Sequence, residues 1–262
     1  MMARHKFTQR EGMKERMKKV NVFFGKVWNL AGKDFSELRI DIIESRIPKQ
    51  LEKLRMGKLS KRQEAKLIKW VCFYGNAAQA LDIIENCKDI DENSQIVFST
   101  RINLIGTAIH AFKALMSGKI TVKEAQISLT KKVRAGKIVQ ASALLMSGIV
   151  TSKAAQYFLV DKVCCEGSAD QIFEVIMSDK VIGEEDKDFL VERLIKMKGT
   201  SEQAMRVIDS GVVLSEKALE SLVDKIYDDG TIAQAKTVYD SKKITNKDLN
   251  DKLLSKFQLN GQ

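Results

Sequence analysis

Six basic residues recur along the chain at one period: Arg101, Lys132, Lys162, Arg193, Lys225 and Lys256, separated by 31, 30, 31, 32 and 31 residues. If the units that carry them stack, these cations line up as a stripe, and a stripe of cations can track a polyanion. The same placement has a purely structural reading. A cation near a helix C-terminus is favoured by the macrodipole by about 0.3–1 kcal/mol. Asp161, Glu192 and Asp224, each directly before a basic member, are also available for pairing.

A second column repeats at the same intervals: Gln79, His110, Gln140, Gln171, Gln203 and Gln234. Amides both donate and accept hydrogen bonds, so a groove lined with them could hold bases, phosphates or a peptide backbone. However, a code that reads bases changes its residues from unit to unit. This column is nearly constant, which favours a ladder between repeats at the edge of the apolar face.

The third candidate is the charge of the first quarter. Residues 1–70 hold 19 Lys+Arg against 8 Asp+Glu, whereas residues 71–262 hold 25 against 26. The cations concentrate at Lys14, Arg16, Lys18 and Lys19, and again at Arg55, Lys58, Lys61, Arg62, Lys66 and Lys69. Lys58, Arg62, Lys66 and Lys69 follow one another at steps of 4, 4 and 3, which predicts one basic ridge if a single helix carries all of them. Trp28 and Trp70 lie nearby in sequence. Such an asymmetry points to a basic end on a near-neutral array.

Catalytic patterns are missing. There is no G-x-S-x-G, no phosphate-cradling glycine loop and no H-E-x-x-H. The four cysteines form no C-x-x-C pair and the only histidines are His5 and His110, so zinc is not expected. Glu184, Glu185 and Asp186 read as the acidic start of a helix. The expectation is a non-catalytic protein without cofactor or metal. No apolar run reaches the ~18 residues that span a bilayer, and no signal-peptide core is present, so a cytoplasmic protein is expected.

The elements that must position these residues are repeats. Gly75, Gly106, Gly136, Gly167, Gly199 and Gly230 open units spaced by 31, 30, 31, 32 and 31 residues, and a degenerate unit begins near Ser45. Each unit reads as helix A starting from the glycine, a turn of the Ser-Gly-Lys-Ile-Thr kind, and helix B. Ser60, Thr121, Thr151, Ser215 and Thr245 are the expected N-caps of the B helices, Thr121 with Glu124 at capping-box spacing. Alanine recurs inside helix A at Ala80, Ala111, Ala141, Ala204 and Ala235, where a small side chain admits a neighbouring helix.

Helices this short need tertiary packing. The expected fold is therefore all-α: an α-solenoid of about seven helix-turn-helix repeats over residues 45–258. A mobile basic arm (1–12) and a basic helical cap (13–44) precede it, with a helix over Asp34–Ser45, and a short tail (259–262) follows. The function expected first is sequence-independent binding of a DNA or RNA backbone, through the basic N-terminal hairpins and the Lys/Arg column. The alternative is a scaffold or inhibitor that takes an acidic protein partner on the face of the array.

Overall fold

Short polar residues placed just before apolar-periodic runs start helices, and this chain does so at nearly every turn. In the computed structural model, which describes residues 40–258 with side chains from residue 45, every regular element is a helix. The expected arm, the cap up to residue 39 (with Lys14, Arg16, Lys18, Lys19 and Trp28) and the tail 259–262 lie outside the described residues. Two units are distinguishable, Met1–Arg46 and Ile47–Gln262. The packing described here is that of the second.

The first members of the helix pairs are α1 (Ile40–Arg55), α3 (Ala77–Asn86), α5 (Ala108–Met116), α7 (Ile138–Ser147), α9 (Ala169–Met177), α11 (Ser201–Ser210) and α13 (Ile232–Asp240). The second members are α2 (Lys61–Tyr74), α4 (Glu92–Ile105), α6 (Lys123–Arg134), α8 (Lys153–Glu166), α10 (Glu184–Lys196), α12 (Glu216–Asp229) and α14 (Lys247–Gln258). From α3 onward the odd helices begin at intervals of 31, 30, 31, 32 and 31 residues, the same intervals as the opening glycines. Helix α1 runs unbroken past Ser45, where the first repeat was expected to begin.

From α2 onward every packed pair of helices lies one or two places apart in the chain. Each odd helix packs on the next odd one and each even helix on the next even one, which makes two rows of helices. Between the rows sits a continuous apolar layer. Ala80, Ala111, Ala141, Ala204 and Ala235 have no exposed surface, and Phe98, Leu129, Leu159, Leu190, Leu222 and Leu253 fill the even side completely buried. Burial of each large side chain contributes about 1.5–3 kcal/mol.

The opening glycines are required by space rather than by dihedral angle. A Cβ on Gly106 would lie 2.5 Å from the Ile102 carbonyl oxygen and 3.1 Å from the Ala77 methyl. The Gly106 N–H instead reaches that carbonyl at 2.9 Å, ending α4 and turning the chain directly into α5.

The turns inside the pairs do depend on dihedral angle. Gly57, Gly118, Gly148 and Gly211 are left-handed, and Asp179 and Lys242 occupy the same place with φ of 49° and 55°. A side chain in this region costs roughly 1–2 kcal/mol. Replacing Lys242 with glycine is therefore expected to raise stability by about 1 kcal/mol, less than the full strain because glycine loses more entropy on folding. Urea denaturation checks it; an unchanged or lower midpoint counts against strain at this turn.

The caps of the even helices are partly rearranged. Ser60 and Ser215 cap α2 and α12 as expected, accepting from the Gln63 and Ala218 N–H groups at 3.4 and 3.2 Å. Thr121 and Thr151 do not cap α6 and α8; Val122 and Ser152 hold those positions, and the capping box of Thr121 with Glu124 is not formed. Asn246, not Thr245, caps α14, its Oδ1 accepting from the Asp248 N–H at 2.8 Å. The reason for Thr121 and Thr151 is tertiary: their backbone N–H groups are held by glutamines of the preceding repeat.

Candidate polyanion-binding surface

The column of Gln79, His110, Gln140, Gln171, Gln203 and Gln234 stands at the third residue of each odd helix. The residue after each opening glycine is the N-cap, so the helix starts later than the glycine itself. Gln79 Oε1 accepts from the Asn76 N–H at 2.9 Å while Asn76 Oδ1 accepts from the Gln79 N–H at 2.9 Å. Ser168 with Gln171, Thr200 with Gln203 and Thr231 with Gln234 repeat this reciprocal capping box, and His110 Nδ1 takes the same place opposite Thr107. Links between repeats occur at two members: Gln203 Nε2 donates to Asp170 at 2.8 Å, and Gln234 Nε2 to Glu202 at 3.2 Å.

A different set of glutamines, which periodicity of helix A does not reveal, joins successive turns. Gln126 is 1% exposed. Its Nε2 donates to the Ile120 carbonyl of its own turn at 2.9 Å, and its Oε1 accepts from the Thr151 and Ser152 N–H groups of the next turn at 3.1 and 3.0 Å. Gln95 does the same between Ile90 and the Thr121 and Val122 N–H groups. Gln156 does so between Val150 and Ile182. Their spacings of 31 and 30 residues are the signal that could have found them.

The basic column of the even helices is largely occupied within the protein. Arg101 donates to the Gly75, Cys72 and Phe73 carbonyls, closing the C-terminal end of α2. Lys256 does the same for α12, donating to the Ile226 carbonyl at 3.1 Å and to that of Tyr227. Lys162 and Lys225 pair with Glu166 and Asp229, each at 2.5 Å. Lys132 and Arg193 are half-buried, Arg193 beside a pocket of about 260 Å³ that Cys164, Cys165 and Phe189 also line. Two turn lysines act alike: Lys119 donates to the Glu85 and Cys87 carbonyls at 2.7 Å each, and Lys243 to that of Asp209.

The first hairpin is different. Residues 47–74 carry eight cations (Lys49, Lys53, Arg55, Lys58, Lys61, Arg62, Lys66, Lys69) against Glu52 and Glu64, and all eight are exposed. Arg55 makes a two-pronged pair with Asp82, its Nε at 2.9 Å from Oδ1. Among the described residues no carboxylate pairs with the others. Helix α2 begins at Lys61, so Lys58 lies in the turn before the Ser60 cap and outside the ridge. The ridge on α2 is Arg62, Lys66 and Lys69. Trp70 is not available to a ligand: it is buried, with the Lys66 ammonium 5.0 Å from its ring centroid.

A second cationic block is hidden by averaging residues 71–262. Residues 93–160 contain nine cations (Arg101, Lys113, Lys119, Lys123, Lys131, Lys132, Arg134, Lys137, Lys153) and one acid, Glu124. Lys123, Lys131 and Arg134 form an exposed ridge on α6, and Lys153 occupies on α8 the position that Lys123 has on α6. Arg134 bridges to Asp161 of α8 at 2.5 Å, and Lys131 sits 5.1 Å from the Phe158 ring centroid of the same helix. On α10 and α12 exposed acids (Glu184, Glu185, Glu192, Glu216, Glu220 and Asp228) outnumber the exposed Lys196 and Lys217. The even row thus offers cations on α2, α6 and α8, and acids beyond.

Burial pushes the Cys72 and Cys164 thiols up to about 12 and that of Cys87 up to about 11, so all three are overwhelmingly protonated near neutrality. Among the described residues no cluster of three or more His, Cys, Asp or Glu could hold a metal ion, and no helix is long and apolar enough to cross a membrane. No protein-family model matches the chain, and comparisons with curated proteins and with solved structures find no match either.

Proposed function

We propose that this chain is a non-catalytic α-solenoid of seven helical hairpins that binds a nucleic-acid backbone, largely without regard to base sequence, in the cytoplasm. The observation that carries the reading is the set of eight exposed cations on the first hairpin, which only Glu52 and Glu64 interrupt. A solvated structural face normally mixes both signs. The α6–α8 ridge extends the surface, and the two helix rows support the solenoid reading. The Lys/Arg column contributes less, because Arg101, Lys162, Lys225 and Lys256 spend their charges on carbonyls and carboxylates within the protein.

Fluorescence anisotropy with labelled DNA and RNA at several salt concentrations tests this. Binding at low salt that weakens linearly in log–log form, with a slope near −0.7 per single-strand contact, is the expected outcome. No binding at low salt sinks the reading.

One observation favours a protein partner instead. Leu104, Ile105, Ile109 and Val139 are exposed at the end of α4 and the starts of α5 and α7, and apolar groups are what a protein interface buries. Capture of an acidic protein that an excess of nucleic acid fails to displace would support that reading.

A further inference from the structure

The even row carries, besides its cations, one exposed aromatic ring in a basic setting. Tyr157 of α8 keeps 54% of its surface exposed. It follows Lys153 by one helical turn, so both stand on the same outward face. Its ring meets that of Phe158 edge-on, centroids 5.8 Å apart and planes at 73°. Phe158 is in turn held by the Lys131 ammonium of α6, and Asp161, the acid one turn beyond Tyr157, is occupied by Arg134. The ring is therefore braced at its edge while much of its surface stays open. Lys153 stands one turn before it on α8, Lys131 of α6 braces its neighbour Phe158, and Asp161 is paired with Arg134.

The next repeat supplies a contrast. On α10 the place of Tyr157 falls to Asp188, and exposed Phe189 takes the place of Phe158, with Glu185 exposed one turn before it and Glu192 paired with Lys196 at 2.7 Å. At the position equivalent to Tyr157, α10 thus offers a carboxylate and no ring. The ridges of α2, α6 and α8 can hold phosphates, with a gap at α4, whose one cation, Arg101, is spent on carbonyls. Three helix-to-helix steps of about 10 Å make a path of roughly 30 Å, on the order of five to ten nucleotides of single strand, within the usual range of single-strand sites.

Resting on the function proposed above, we infer that the ligand of this surface is single-stranded nucleic acid, with one base stacked on Tyr157 and its phosphates on the ridges of α2, α6 and α8. A duplex keeps its bases inside the stack and cannot offer one to the ring. Stacking requires a π-face and no particular base, so it is compatible with sequence-independent binding. A backbone-only site would serve duplex, single strand and inorganic polyphosphate alike.

The test uses the full chain and two labelled probes of equal length: a homopolymeric single-stranded oligonucleotide and an abasic oligonucleotide with the same phosphates. The wild type is expected to bind the base-bearing strand about ten-fold more tightly than the abasic one. Tyr157→Ala is expected to bring the base-bearing strand down to the abasic level, while Tyr157→Phe preserves the difference. Equal wild-type affinity for the two probes, or an unaltered Tyr157→Ala variant, overturns the stacking inference and leaves backbone binding standing. No binding of either probe overturns the nucleic-acid reading itself, and the stacking inference with it. Tyr157 is exposed, so far-UV circular dichroism of the alanine variant should match the wild type and keep the comparison clean.

Discussion

Replacing Gln126 with methionine lowers the stability of the protein by about 3–5 kcal/mol. Methionine has nearly the same length and volume, so the packing around this 1%-exposed position changes little. What goes is three hydrogen bonds: the Ile120 carbonyl loses its donor, and the Thr151 and Ser152 N–H groups lose their acceptor. Each buried polar group left without a partner costs about 1–3 kcal/mol. The Thr151 side is exposed and water relieves part of its share, which keeps the total below the simple sum. Gln140→Ala, which removes only an exposed cap contact, should cost about 1 kcal/mol or less. Urea denaturation of both variants provides the measurement. A loss below 1 kcal/mol for Gln126→Met would falsify the claim that this side chain holds two repeats together.

The other large effect concerns charge. Changing Arg62, Lys66 and Lys69 together to alanine should weaken single-strand binding by about 100-fold at low salt. Three phosphate contacts at about 0.7 each would also flatten the salt slope by about 2. These side chains are exposed and, Lys66 over Trp70 aside, touch nothing that the fold needs, so stability should hold. Arg101→Ala with Lys256→Ala predicts the reverse: the carbonyl ends of α2 and α12 lose their donors, stability falls, and the salt slope stays. Affinity, slope and urea midpoint for both variants discriminate the two roles. If the Arg101 and Lys256 variant flattens the slope at unchanged stability, those cations belong to the binding surface after all.

These two cases also mark what a sequence can convey here. The periodic glycines and alanines were readable because their cause is local or repeats without change: no room for a Cβ beside the Ile102 carbonyl, and close helix approach at Ala111. The Gln79 column was readable as a column, but its task was not. An N3 glutamine and a groove glutamine differ only in where the helix starts, and that start lies two residues past the glycine. Gln126 reads as an ordinary polar helix residue, since its partners Thr151 and Ser152 are 25 and 26 positions away and become neighbours only after stacking. The ridge on α6 was lost for an arithmetical reason. Acids of residues 161–262 cancel its charge in any sum over the array, yet they lie on other helices.

The glutamine ladder also has a direction. Gln95, Gln126 and Gln156 each fasten their own turn with the amide nitrogen and receive the following turn with the oxygen, the Gln156 nitrogen also donating forward to the Lys180 carbonyl at 3.2 Å. A chain leaving the ribosome therefore makes each of these three hairpins with one acceptor still open, to be filled only when the successor has been synthesised. The final hairpin carries a shorter amide at the corresponding place. Asn250 Nδ2 donates to its own Ile244 carbonyl at 2.8 Å and to that of Asn246 at 3.1 Å. One methylene shorter than glutamine, this side chain fastens its own turn.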